Sequence, residues 1–195
     1  MRVPATHSPG ARRAGFTFAE LVVVMVVMLI SVSIFTSTVV TTARQRAINR
    51  ENAIAANAAR SALELMRNEE FEQVFALFNA DPADDPAGPG TAPGEFFAVE
   101  GLNVVDGAPG GAAGRITFPA VDVSGGVGTP AWQLREDFED PDMGMPRDLN
   151  GDGVTDDQDH AGDYVILPVR VTIQWTGMAG QREYRSFTML VRFLT

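Results

Sequence analysis

A chain of 195 residues that is 45% hydrophobic and carries a formal net charge of −10 has material for one compact core and a long helix, not for two independent cores. It contains no cysteine, which excludes a disulfide framework and a thiolate metal site while leaving an export compartment open. The acidic balance excludes nucleic-acid binding through the bulk surface, because phosphate contacts need positive charge.

Residues 1–15 hold Arg2, Arg12 and Arg13, no acid, and the helix-unfriendly Pro4, Pro9 and Gly10. This reads as a basic, unstructured leader. Residues 21–40 follow with no charge and no proline. At a rise of about 1.5 Å per residue they reach about 30 Å, the thickness of a bilayer's hydrocarbon core. Lipid offers the backbone no partner but itself, so helix is the expected conformation despite the Val, Ile and Thr content. The hydroxyls of Ser31, Ser33, Thr36, Ser37, Thr38, Thr41 and Thr42 can bond back to the preceding turn. The alternative is a buried core helix, against which length and N-terminal position both argue. An ordinary secretory signal fits poorly: Thr41, Thr42 and Ala43 make a weak cleavage site, and Glu20 spoils the apolar region.

Glu20 is the one charge at the head of this stretch. A carboxylate at the edge of a membrane span costs free energy unless a cation meets it or it reaches the head groups. With Gly15, Phe16, Thr17, Phe18, Ala19 and Leu21, followed by the apolar span, it resembles the type IV pilin and type II secretion pseudopilin superfamily. The resemblance rests on about the first 30 residues and is to the superfamily, not to one member. It implies cleavage by a prepilin peptidase between Gly15 and Phe16 on the cytoplasmic side, and methylation of the new Phe16 amine by the same enzyme. Glu20 would then be the fifth mature residue, which in this family meets the N-terminal amine of a neighbouring subunit during assembly. Opposite charges in a low dielectric offset each other's desolvation only in correct register. Cleavage removes three arginines and takes the net charge from −10 to −13. Arginine counts do not orient the span, because Arg44, Arg46 and Arg50 follow it; the orientation, with the remainder of the chain outside the inner membrane, is implied by the leader resemblance.

Helical character continues over residues 44–80. Ala47, Ile54, Ala58, Ala62 and Leu65 form one stripe, and Phe71, Val74, Phe75 and Phe78 a second. At about 100° per residue the second stripe lies about 100° around from the first, so a bend or a change of packing partner is expected at residues 67–69. The stripes are read as core-facing, with the Ala-rich part also available to neighbouring subunits. Pro82 ends the helix. A Pro, Gly, Ala and Asp-rich linker spans residues 81–94, and a β-rich head is expected over residues 95–195.

Short strands are expected at residues 96–105, 115–118 and 131–134, separated by Gly and Pro-rich loops. Residues 107–114 are glycine-rich, but no lysine and no helix follows, so they are read as a loop and not a phosphate cradle. The strongest β pattern closes the chain. Val165, Ile166, Val169, Val171, Ile173 and Trp175 lead into a turn at residues 177–180; Phe187, Met189, Val191 and Phe193 then alternate with Ser186, Thr188, Leu190 and Arg192. This predicts a hairpin with one buried face laid across the preceding helix, an α+β fold in which a long N-terminal helix packs on a small antiparallel sheet. Similar heads occur in the superfamily, and the segment 60–67 with the closing hairpin looks more like a minor pilin or minor pseudopilin.

Asp148, Asn150, Asp152, Asp156 and Asp159 place oxygen donors at positions 1, 3, 5, 9 and 12 of a loop with Gly153 at position 6. Calcium takes six to eight hard oxygens, and such a loop wraps them round one ion with Val154 giving its carbonyl. The loop resembles those of the EF-hand and dockerin families, with Asp159 in place of the usual glutamate and no room for flanking helices. A structural Ca2+ that pins an acidic segment to the sheet is expected; the alternative is a solvated acidic loop. Glu136, Asp137, Glu139, Asp140 and Asp142 are read as solvated surface, with Asp142 a remote extra ligand. Enzymatic activity is not expected: only His160 remains after processing, and no serine sits in a nucleophile elbow. The reading is a membrane-anchored filament subunit whose partners are other pilin or pseudopilin subunits, with secreted cargo or a surface ligand possible at the head. The rival is a membrane-anchored, calcium-stabilised extracytoplasmic binding protein that does not polymerise.

Overall fold

The computed structural model describes Gly15, residues 17–125 and residues 130–192. The chain divides into two compact units, residues 1–45 and 46–195. Helix α1 (Phe18–Asn68) runs through the boundary between them. It ends before a 3-10 turn (Phe71–Gln73) that leads directly into α2 (Val74–Phe78), so the expected break falls where the stripe changes direction. The chain leaves α2 at Asn79, whose backbone is extended, and the linker is tied down: Asn79 donates to Asp84 at 2.7 Å and Gly94 N–H to Leu77 O at 3.0 Å.

Within the second unit an antiparallel sheet has the order β1 (Phe96–Phe97), β2 (Gly114–Thr117), β5 (Ile166–Gly177), β6 (Gly180–Val191). A separate two-stranded antiparallel ladder joins β3 (Ala120–Asp122) to β4 (Trp132–Leu134). Strand β3 was not anticipated. Only Val121 of its three residues is a strong strand former, and the ladder is secured by Arg135 N–H bonding back to Pro119 O at 2.9 Å. The fold is thus α+β, a long helix with small antiparallel sheets, as the sequence predicts.

Strand β5 supplies the centre of the core: Leu167, Val169, Val171, Ile173 and Trp175 alternate inward and are buried. Against them pack Ala55, Ala59, Ala62 and Met66 of α1 and Val74, Phe75 and Phe78 of α2. Two details differ from the sequence pattern. The buried stripe of α1 keeps Ala62 of the expected one but otherwise centres one residue later, on Ala55, Ala59 and Met66, with Ile54 and Ala58 partly buried beside it and Leu65 48% exposed. Ala55 and Ala59 lie fully within the contact, and Ile54 and Ala58 pack at its margin. In β6 the register pairs Val169, Val171 and Ile173 with Thr188, Ser186 and Tyr184. The core face of this edge strand is therefore its more polar one, and Phe187, Met189 and Val191 lie on the opposite face with exposures of 38%, 38% and 49%. Cross-strand pairing with β5, whose inward side chains are buried, sets the register, and β6 follows it whatever its own alternation suggests.

Glu51 of α1 holds the closing hairpin by its turn. Its carboxylate accepts from Trp175 Nε1–H at 3.2 Å and from Met178 N–H at 3.3 Å. A Cβ at Gly177 would collide with that carboxylate, so the contact requires glycine there. Tyr164, just before β5, ties the helix break to the sheet: its hydroxyl donates to Phe71 O at 2.5 Å, accepts from Phe75 N–H at 3.4 Å, and its ring packs on Phe71 at 5.0 Å. Burial pushes the phenol up to about 12.

A free phenol titrates near 10. The folded state therefore favours the protonated form, and this contribution to stability is intact below pH ~10 and is lost as pH rises from ~10 towards ~12. With neither lysine nor cysteine in the chain, few other groups titrate there. Denaturant unfolding of the full chain in detergent should show stability falling across that window. Tyr164→Phe should be less stable at pH 8 by about 1–3 kcal/mol, because Phe71 O and Phe75 N–H lose their partner, and should show a shallower alkaline fall. Identical pH slopes for the two proteins would contradict this role.

Candidate functional site

The first unit contains the one helix among the described residues long and apolar enough to cross a membrane. Fifteen large apolar side chains between Leu21 and Val40 are each 42–70% exposed, so none of the described residues covers this stretch. Six of the seven hydroxyls between Ser31 and Thr42, all but that of Ser33, are turned onto the helix itself. Ser31 donates to Val27 O at 2.7 Å, Thr36 to Val32 O at 2.9 Å, Thr41 to Ser37 O at 2.8 Å and Thr42 to Thr38 O at 2.8 Å. Polar groups satisfied in this way can enter lipid without orphaned donors.

At the start of α1, Thr17 Oγ1 accepts from Glu20 N–H at 3.3 Å and Glu20 Oε2 accepts from Thr17 N–H at 3.4 Å. This is a reciprocal capping box, which satisfies two of the N–H groups a helix start leaves unpaired and sets an anion against the positive end of the helix dipole. Both bonds are long and exposed, so the carboxylate is held weakly. Gly15 is exposed and outside the helix. Phe16 and residues 1–14 of the leader lie outside the described residues.

In the second unit the loop 148–159 folds as a chain of side-chain-to-backbone turns. Asp148 accepts from Gly151 N–H at 2.6 Å and Gly153 N–H at 2.8 Å, Asn150 Oδ1 from Asp152 N–H at 3.0 Å, and Asp152 Oδ1 from Val154 N–H at 2.7 Å. Gly153 has φ 88°, a value that favours glycine at the sharpest point of the loop. The Gly153 and Gly151 amides hold the Asp148 carboxyl below its ordinary range. Asp159 turns to β4, its Oδ1 accepting from Leu134 N–H and Ala161 N–H, each at 3.1 Å.

The loop is fastened from inside by Glu136, which is 1% exposed. Its Oε1 accepts from Leu149 N–H at 2.6 Å and Asn150 N–H at 3.2 Å, and its Oε2 from Asp156 N–H at 3.3 Å. A buried carboxylate is tolerable when backbone donors replace its water. The placement of Glu136 corrects its reading as solvated surface. Asp140 departs from that reading too: it accepts from Asp142 N–H at 3.1 Å and pairs with Arg170 of β5. Asp140 is not distinguished from its acidic neighbours by spacing, whereas Glu136 is. A strand alternation carried on from Leu134 through Glu136 to Phe138 would have put Glu136 on the inner face.

His160, 4% exposed, completes the cluster. Its Nε2 lies 3.1 Å from Asp156 Oδ1 and 3.8 Å from Glu136 Oε2, and its Nδ1 lies 3.1 Å from Asp163 Oδ1. Burial alone would lower the imidazole, but the hydrogen bonds to Asp156 and Asp163 and the Glu136 charge outweigh it and the net direction is upward. Asp156 is held below its ordinary range by Gln158 N–H and then by His160. Ligand atoms of Glu136, Asp156 and His160 all lie within 4.8 Å of one another, a group able to hold a metal ion. Of the five side chains expected to ligate, it includes only Asp156. The histidine and the inner glutamate were outside the loop pattern and were not singled out as ligands.

No protein-family model, curated protein or solved structure matches the chain.

Glu136→Ala should destabilise the protein by about 2–3 kcal/mol, since it strands the buried Leu149 N–H and removes the partner of the half-buried Asn150 and Asp156 N–H groups. Glu136→Gln should cost less, because an amide oxygen still accepts. Urea unfolding of the full chain in detergent, with the exposed Asp137→Ala as control, measures the difference. Equal stability of the two alanine variants would contradict the assigned role.

Proposed function

We propose that the chain is a membrane-anchored subunit of a type IV pilus or type II secretion pseudopilus, of the minor pilin or minor pseudopilin kind, acting mechanically and not as an enzyme. The observation that carries this reading is the uncovered apolar surface of residues 21–40, headed by a weakly held Glu20 five residues after Gly15. Burying fifteen half-exposed aliphatic and aromatic side chains is worth on the order of 20 kcal/mol, more than the roughly 5–15 kcal/mol net stability of a typical domain. The helix is held in the inner membrane before assembly and leaves lipid for a bundle of like helices during it. On this reading the prepilin peptidase cuts after Gly15, and Glu20 exchanges its Thr17 N–H for the methylated amine of a neighbour's Phe16. The remainder of the chain, outside the membrane, meets other subunits, secreted cargo or a surface.

The loop is proposed to bind Ca2+ as a structural ion. The donor chemistry fits: Asp148, Asn150, Asp152 and Asp156 offer hard side-chain oxygens and Val154 a carbonyl. Asp159, bonded to β4 through one oxygen, has its other oxygen to give. The ion would relieve repulsion among the acids and fix the segment between β4 and β5.

A second reading is favoured by the capping box: Glu20 already serves its own helix start, as it would in an anchored, calcium-stabilised protein that never polymerises. Mass spectrometry of protein from cells with a prepilin peptidase separates the two. A chain beginning with methylated Phe16 is the filament outcome, and an intact Met1 terminus is the anchor outcome. Glu20→Gln keeps an oxygen for the cap but loses the charge, so it should insert normally and fail to assemble; Glu20→Ala should lose both. Normal filament incorporation of Glu20→Gln would remove the assembly role.

For the loop, excess Ca2+ should raise the melting midpoint of the full chain in detergent, by an amount equivalent to about 2.7 kcal/mol at a hundredfold excess over Kd. EGTA should reverse the shift. The same midpoint with and without calcium would count against the site.

A further inference from the structure

We propose that Glu136, Asp156 and His160 form a second metal site, distinct in chemistry from the all-oxygen loop, that takes a divalent transition ion of the zinc class. The argument rests on donor type, spacing and the group behind the histidine.

His160 Nε2 is separated from Asp156 Oδ1 by 3.1 Å and from Glu136 Oε2 by 3.8 Å. Metal bonds of about 2.1 Å to imidazole and carboxylate, opened to angles of about 95° and about 130°, place the ligand atoms about 3.1 and about 3.8 Å apart. The two distances from the histidine therefore match an ion of that size, and the ligand atoms of Asp156 and Glu136 lie within 4.8 Å of each other, so a small closing of the two carboxylates completes the site. Calcium, at about 2.3–2.6 Å and with a demand for six to eight oxygens, is poorly served by three ligands of which one is nitrogen. An imidazole with two carboxylates suits Zn2+, Co2+ or Mn2+.

The histidine is also oriented as a ligand needs to be. Its Nδ1 faces Asp163 Oδ1 at 3.1 Å, a carboxylate behind the imidazole of the kind that supports metal-bound histidines, and an ion would take the place of the proton shared between Nε2 and Asp156 Oδ1 at 3.1 Å. Glu136 is held rigidly by Leu149 and Asn150 N–H through Oε1, while Oε2 has only a long contact with Asp156 N–H, 3.3 Å. The stronger bonds fall on the oxygen away from the cluster. Both His160 and Glu136 are buried, so an ion here would sit beneath the loop, with Asp156 on the outer side as a ligand common to the two sites. The site does not depend on the loop binding calcium.

Cobalt is the probe, because its visible absorption reports coordination directly. Titration of CoCl2 into untagged full chain in detergent should develop d–d bands saturating at one ion per chain, and ZnCl2 should displace them. His160→Gln, which keeps a hydrogen-bonding group beside Asp156, should lose the bands while its response to CaCl2 is unchanged. Asp163→Asn leaves the three ligands in place and should weaken cobalt binding by about 10- to 100-fold. If His160→Gln does not fold, the wild-type protein decides alone: 15N-histidine spectra should show the His160 Nε2 resonance moving on addition of Zn2+. Absence of cobalt bands in the wild type, bands that persist unchanged in His160→Gln, or an Nε2 resonance unmoved by zinc would each overturn the site.

Discussion

An apolar helical surface that none of the described residues covers is the constraint on which the rest depends. Between Leu21 and Val40 every large apolar side chain is substantially exposed, and every hydroxyl whose bond is described turns back onto the helix. Water would penalise such a surface by more than a folded domain can offset. Lipid is one environment that does not, and a bundle of similar helices is another. The proposed function makes use of both in succession, and the weak capping contact at Glu20 is what would allow the exchange. A strong, buried cap would commit the carboxylate to its own helix, whereas exposed bonds of 3.3 and 3.4 Å can be replaced at little cost.

The second unit answers a different problem, which is how an acidic chain with long Gly and Pro-rich connections holds a single shape. Its core is built on β5, and the polar segments are pinned to that core at a few points. Glu136 draws the amides of Leu149, Asn150 and Asp156 onto one carboxylate, Tyr164 locks the break between α1 and α2, and Glu51 clamps the final hairpin. Each is a long-range contact from a single polar side chain to backbone or indole N–H. Removing any one leaves buried donors or acceptors without water, which is why these positions matter more than the many surface ion pairs.

Much of this architecture was legible in the sequence because it rests on local periodicity. The apolar run, the break near residues 67–69, the stop before Pro82, the strands at 115–118 and 131–134 and the closing hairpin all come from patterns of three, four or two. What sequence did not disclose depended on partners far along the chain. Met66 and not Leu65 faces the core, in line with Ala55, Ala59 and Ala62 on the buried side of α1. In β6 the polar side chains turn inward because β5 dictates register, so that Phe187 and Met189 lie on the outer face. Glu136 was read with its acidic neighbours because burial of a carboxylate is decided by three amides located 13 to 20 residues later. The loop's turn-forming chemistry was legible from Asp148 to Gly153, but the partnership of Asp156 with His160 and Glu136 arises only in three dimensions.

The claim that the apolar helix is built to leave lipid for sister helices is tested most directly by replacing Phe35, 70% exposed on that helix, with a photo-crosslinking phenylalanine in cells that carry a pilus or secretion assembly machine. Illumination should yield covalent adducts to proteins that themselves begin with a cleaved apolar helix. Adducts to lipid alone, with the machine active, would contradict the account.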